Sequence, residues 1–351
     1  VLKTLIRETL AFDWSRRHPA AALACLPAIA IPLAVGAMTG SPRQGMMAAA
    51  GAFSVGFGAF QKLRNSHLRP MLLGAVGMCV SSWIGTLAGF SDLATTIISA
   101  GWGLALGAAW AFGPATAWIV LQCLIWVVIS TAYPNGGLRA FMRGAMVLAG
   151  GLLQIAIVSA SERLFGRVLP ALNPVAANRS GVRARQPQTG PRRCLPAIRA
   201  ATVMAIAAIT YRRLAIANAY WIPITAAIVM KPELGQTLQR GVARIAGTLV
   251  GAALATLIAA TLRPAPWILA ALVVTFAWAS YLFIDVSYTA FVGCLTAYVV
   301  FLLAMVGLPE NALIAHRALD TLVGGAIALL VHAALSPVEQ LVAVRAGPPA
   351  P

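Results

Sequence analysis

Apolar runs of about 20 residues, separated by short polar or Gly/Pro-rich breaks, recur along most of the 351-residue chain. That is the length an α-helix needs to cross the hydrocarbon of a bilayer. Candidate spans fall at 19–38, 45–60, 70–90, 93–112, 114–132 and 141–160, then at 196–211, 217–230, 242–261, 265–283, 287–306 and 314–335. Two divisions follow from length alone. The stretches 93–132 and 264–306 would each reach roughly 60 Å as one helix, twice the core thickness, so each must fold back. Gly113-Pro114 and Asp285 mark the corners. The expected fold class is all-α and polytopic, with about twelve transmembrane helices.

Polar stretches divide this series. Residues 1–18 place Leu2, Leu5, Ile6 and Leu10 on one helical face with Lys3 and Arg7 off it, the pattern of an interfacial amphipathic helix. A cleaved signal peptide competes with that reading, but Glu8 and Asp13 make a poor basic n-region. A first bundle occupies 19–161, and 162–194 is a basic linker with Pro170, Pro174, Pro187 and Pro191 and too few apolar residues for a core. A second bundle takes 195–336 and a tail 337–351. Arg143 precedes Gly150-Gly151 as Arg317 precedes Gly324-Gly325, both at an offset of 174, and Pro134 precedes its span much as Pro309 does. An even number of helices per half leaves the halves pointing the same way, hence two parallel six-helix repeats. Elsewhere identity between the halves is thin.

Composition supports the membrane reading and decides orientation. Hydrophobic residues make up 60% of the chain and charged ones 10%, against roughly 25% in soluble domains. Net charge is +17, with a pI near 11.1 and a mean hydropathy of +0.83. A balance so basic would suit nucleic acid, yet here the cations are sided. With the N-terminus cytoplasmic, only Arg43, Arg139, Arg143, Arg212, Arg213, Arg263 and Arg317 fall outside. Both termini are therefore expected in the cytoplasm, with the lipid bilayer rather than nucleic acid as partner.

Catalytic signatures are missing: there is no HExxH, GxSxG or P-loop, and no paired-cysteine metal spacing. No enzyme, cofactor or metal is expected. Cys25, Cys79, Cys123, Cys194 and Cys294 read as packing residues without a disulfide framework. His332 reads as a satisfied histidine near the inner end of its helix, with a proton relay as the rival. The informative stretch is YWIPITAAIVMKPELGQTLQRGVARIAGTLVG, 220–251. Its span, 217–230, is short and holds Pro223, while its counterpart 45–60 is loosened by glycines; paired broken helices point to a transporter site. Pro223 would free a carbonyl, with Trp221 offering a stacking face and Thr225 a hydroxyl. The rival reading is an interfacial tryptophan beside a packing kink. Thr237, Arg240 and Arg244 recur every three to four residues and share a face where guanidiniums could hold a carboxylate, or merely snorkel. Arg317 and Asp320 lie one turn apart in the last span and could form a local ion pair. Asp320 is the one carboxylate placed clearly within a span, either structural or proton-coupling.

At these residues the chain resembles the FUSC family, bacterial inner-membrane proteins of the fusaric-acid-resistance and aromatic-acid-exporter type. The likeness lies in Tyr220-Trp221, Pro223, Thr225, Pro232, Gly235, Thr237, Arg240, Arg244, Gly247-Thr248 and Gly251, and again in Arg317, Asp320-Thr321 and Gly324. The resemblance implies two six-helix bundles in the bacterial inner membrane and proton-driven efflux of aromatic or other organic acids. Many members carry a large cytoplasmic domain that 162–194 is too short to supply. The first half also lacks the Trp-x-Pro and Pro-x-x-Gly elements.

The expectation is thus a membrane transporter, driven by protons, that expels small organic anions such as aromatic carboxylic acids. Trp221, Pro223, Thr225, Thr237, Arg240 and Arg244 would bind substrate, and Arg317, Asp320 and Thr321 would couple or gate. Partners would be the organic anion and either further copies of the chain or a periplasmic adaptor. A passive organic-anion channel and a non-transporting membrane scaffold subunit are the alternatives.

Overall fold

The computed structural model describes residues 9, 11–166, 168–169, 194–214, 216, 218–262, 264–305, 307 and 310–345. Proline opens many of the helices. Pro19, Pro27, Pro42, Pro114 and Pro266 each stand in a first turn, where a missing N–H costs nothing because that group has no intrahelical acceptor. The first span, Pro19–Met38, has the bounds expected from hydropathy and is built of two helices, α1 (Pro19–Ala24) and α2 (Pro27–Met38). Next come α3 (Pro42–Gly56), extended by a 3-10 turn over Phe57–Phe60, α4 (Leu68–Ala88), α5 (Asp92–Ala109), α6 (Pro114–Thr131) and α7 (Gly137–Phe165). The corner at Gly113 has φ 103°, a backbone that glycine adopts without strain.

The second group is α8 (Cys194–Arg213), α9 (Trp221–Val229), α10 (Leu234–Leu262), α11 (Pro266–Phe283), α12 (Tyr288–Ala304) and α13 (Glu310–Arg345). Among the described residues, nine helical spans are long and apolar enough to cross a membrane, and Tyr288–Ala304 is a shorter apolar helix. The protein is a multi-pass helical membrane protein. At about 1.5 Å per residue, α9 is only about 14 Å long, less than half of the ~30 Å core. The α11–α12 corner falls at Asp285, as the length argument requires.

In the first group α3 packs on α2 and α7, α4 on α6 and α7, and α5 on α6. In the second, α9 packs on α8 and α13, α10 on α12 and α13, and α11 on α12. The groups join through α5 against α8 and α11 against α1 and α2. Small residues permit these approaches. A Cβ at Gly150 would run into the Ala48 carbonyl of α3, and one at Gly324 into the Ile222 carbonyl of α9. Large apolar side chains such as Leu104, Val250, Leu257 and Trp267 point outward, as on a lipid-facing surface.

Other segments differ from or fall outside the expectation. Of the expected interfacial helix, residues 1–8 and 10 lie outside the described residues, and Trp14–Arg16 form a 3-10 turn. That segment docks on the α11–α12 corner: the Asp13 N–H donates to the Val286 carbonyl at 2.9 Å and His18 stands 3.8 Å from Asp285. Residues 170–193 of the linker lie outside the described residues, while α13 continues beyond 336 to Arg345.

Candidate functional site

One face of α13 organises the polar interior of the second group. Arg317, Asp320, Thr321, Gly324, Ala328 and His332 follow at helical spacing, all turned toward α9 and α10 and all buried where burial is described. Gly324 brings α9 so close that a Cβ there would sit 2.9 Å from the Thr225 Cβ. Above and below this contact lie two polar layers.

In the first layer the Arg317 guanidinium lies 3.6 Å over the Trp221 ring. Tyr220 flanks Trp221 at 5.4 Å and reaches Tyr133 at 6.0 Å, and Arg143 covers the other ring at 5.1 Å. Arg244 (2% exposed), Arg317 (3%) and Asp320 (0%) are withdrawn from solvent. Yet Nε and Nη1 of Arg244, Nε of Arg317, both carboxylate oxygens of Asp320, Oγ1 of Thr248 and Nε1 of Trp221 have no hydrogen-bond partner. Two guanidiniums therefore face one carboxylate. Burying a charged group without partners costs several kcal/mol.

The second layer closes the gap between α9 and α10. α9 ends at Val229, Met230 is extended, and Pro232 prevents the helix from continuing. Extended backbone inside a bundle must find hydrogen-bond partners. Arg199 of α8, fully buried, donates from Nη2 to the carbonyls of Lys231 at 3.2 Å and Pro232 at 3.0 Å. Its Nη1 stands 3.0 Å from His332 Nε2. His332 Nδ1 is 3.2 Å from Thr237 Oγ1, which also accepts from the Lys231 N–H at 3.0 Å.

The expected site residues separate accordingly. Trp221, Arg244, Arg317 and Asp320 share the first layer, while Thr237 belongs to the second. Thr225 lies between them against Gly324. Arg240 departs from the shared face: its guanidinium sits 3.8 Å over the Tyr288 ring on α12. Pro223 frees no carbonyl, because it stands in the first turn of α9 and the Ala219 carbonyl accepts from Ile222 N–H at 3.0 Å. Arg317 and Asp320 feel each other's charge but share no hydrogen bond, since the Asp320 oxygens have no partner and Arg317 turns to Trp221. Thr321 spends its hydroxyl on the Arg317 carbonyl at 2.7 Å. Arg199 and Tyr133 were not foreseen. Arg199 was legible in principle, being a cation inside the predicted span 196–211, which is expensive without a purpose.

Residues 204–331 match the family model described as fusaric acid resistance protein-like. The match covers little more than a third of the chain. No curated protein and no solved structure matches the chain. The matched segment contains the whole α9–α10 junction, Trp221, Arg244, Arg317 and Asp320. Arg199 precedes it and His332 follows its last residue.

Proposed function

We propose that the protein is a membrane transporter for small organic anions, aromatic carboxylates among them. The observation that carries this reading is the first polar layer, with its two buried guanidiniums, one carboxylate and unpaired donors beside the Trp221 ring. A carboxylate can take two parallel N–H bonds from a guanidinium, and an aryl group can stack on Trp221 once Arg317 turns to the anion. Asp320 is the proton-coupling group of this reading, because an anion arriving beside it favours its neutral form. Pro223 and Thr225 shape the wall, Thr321 supports Arg317, and Arg240 gathers anions at the mouth. No catalytic role is proposed.

The short α9 and the opened Met230–Glu233 junction fit a carrier whose site is made by a discontinuous helix. Two parallel repeats are supported by the recurring helix pairings and by Gly150 on Ala48 and Gly324 on Ile222, both pairs 174 residues apart. The sided cations support a bacterial inner-membrane orientation with both termini cytoplasmic.

Binding is tested by thermal unfolding of the purified chain with benzoate as probe. A ligand at 100 times its Kd stabilises by about 2.7 kcal/mol. The midpoint is expected to rise with benzoate in the natural protein and to stay fixed in Arg244→Gln. An equal rise in both would overturn the assignment of Arg244.

A further inference from the structure

Position 143 is the first-half match of position 317, and the structure gives the two arginines the same kind of neighbour. The Arg143 guanidinium stands 5.1 Å from the centre of the Tyr133 ring, as Arg317 stands 3.6 Å over Trp221. Tyr220 joins the two rings, 6.0 Å from Tyr133 and 5.4 Å from Trp221. A ladder of cation, three aromatic rings and cation therefore crosses between the two groups of helices where α9 packs on α6. It also runs from water inward. Tyr133 is 37% exposed and Arg143 half-buried, whereas Tyr220 (4%) and Arg317 (3%) are closed off.

The charge of Arg143 is uncompensated. Among the described residues no carboxylate pairs with it. The one acid on α7, Glu162, lies about five turns further along, and Asp92 at the start of α5 is held by Arg212. A ring attracts a guanidinium through its π-face, which leaves the planar N–H fork free for a carboxylate. Partial withdrawal from water strengthens that bond.

We propose that Arg143, Tyr133 and Tyr220 form a second binding station for an aromatic carboxylate, between solvent and the buried layer of Arg244 and Arg317. The carboxylate takes the Arg143 fork and the aryl group lies against the exposed part of Tyr133. Behind it Tyr220 and Trp221 offer further ring faces, so an anion moving between Arg143 and Arg317 stays on aromatic surface with a cation at either end. The station's place on a path rests on the transport reading; the binding itself does not.

The test is modification of arginine side chains by butanedione in the full chain in lipid nanodiscs, with the rate at each residue read by peptide mass spectrometry. Benzoate is raised stepwise at constant ionic strength, and the exposed Arg43 serves as reference. The Arg143 rate is expected to fall saturably, about tenfold at about ten times the Kd, while that of Arg43 stays constant. The same fall is expected in Arg244→Gln/Arg317→Gln, whose inner layer is disabled. Benzamide, which has no charge, should give none. An unchanged Arg143 rate, an equal fall with benzamide, or protection that vanishes in the folded double variant overturns the station. Should the double variant fail to fold, Arg244→Gln takes its place. Should Arg143 resist the reagent, calorimetric titration decides: Arg143→Gln is expected to bind about half as much benzoate as the natural protein, and equal binding overturns the station. Protection of Arg143 in a protein that carries no benzoate across proteoliposomes would sink the transport reading and leave the station standing.

Discussion

At the scale of single residues, the protein's character lies in how buried charge is partnered. Arg199 and Arg244 are nearly equal in burial, yet Arg199 makes a set of defined bonds while Arg244 leaves Nε and Nη1 unpaired. Arg244→Gln is therefore expected to leave the thermal midpoint within a few degrees, since removing an unpaired buried charge is neutral to stabilising. It should weaken benzoate binding by about 10- to 100-fold, the worth of a charged hydrogen bond of ~1.5–3 kcal/mol. Arg240→Gln should change binding less than about threefold, because that guanidinium lies on Tyr288 away from the layer; ligand titration of both variants checks the contrast. His332 makes a spectroscopic prediction, because Arg199 can only donate to its Nε2. Nitrogen NMR of labelled histidine at pH 8 should show the Nδ1–H tautomer at this position, and an Nε2–H signal would contradict the bonds drawn for Arg199. Sequence reasoning could find Arg244 and Asp320 because cations and acids stand out in an apolar run. It could not separate Arg240 from Arg244, because three- and four-residue steps both keep to one side of a helix. The direction of each side chain is set by neighbours, Tyr288 in one case and α13 in the other.

At the scale of elements, glycine contacts set how closely the short helices α3 and α9 lie against their partners. A methyl group at Gly324 would meet α9 backbone, whereas one at Gly325 would meet nothing within 4 Å. Gly324→Ala is expected to destabilise the protein by about 1–3 kcal/mol through overpacking. Gly325→Ala should be neutral or stabilising by up to ~1 kcal/mol, since alanine favours helix. Thermal unfolding of the pair measures the difference, and equal midpoints would contradict the close α9–α13 approach. Hydropathy located most helices because each needs a long apolar run. It gave the span Pro19–Met38 but not its division into α1 and α2, because Pro27 interrupts hydrogen bonding without interrupting hydrophobicity. The 3-10 turn at Trp14 was likewise hidden, since an amphipathic pattern records which face is apolar and not whether the chain coils around it.

At the scale of the whole molecule, two groups of helices meet through α5 on α8 and α11 on α1 and α2. Arg212 of α8 pairs with Asp92 of α5 across the first of these seams. Asp92 is exposed, so Asp92→Asn should cost no more than about 1 kcal/mol, as surface ion pairs do. Thermal unfolding checks it. The positive-inside argument makes a topological prediction of its own. Alkaline phosphatase fused after Asn135 should be active outside the inner membrane, and the same enzyme fused after Arg345 should be inactive. The multi-pass helical character and most of the spans were readable in the sequence because the bilayer imposes a length on every crossing. Among the described residues, however, nine helical spans, not twelve, have that length and composition. The joining of two distant polar layers by one face of α13 was not readable, because it depends on which helices become neighbours.

The central claim is that Arg244 and Arg317 form a carrier site for organic anions. It is tested most directly by benzoate flux in proteoliposomes containing the natural protein or the Arg244→Gln/Arg317→Gln variant. Saturable flux, stimulated by an opposing proton gradient and reduced at least about tenfold in the folded variant, is the predicted result. No flux above empty vesicles, or equal flux from both proteins, would contradict it.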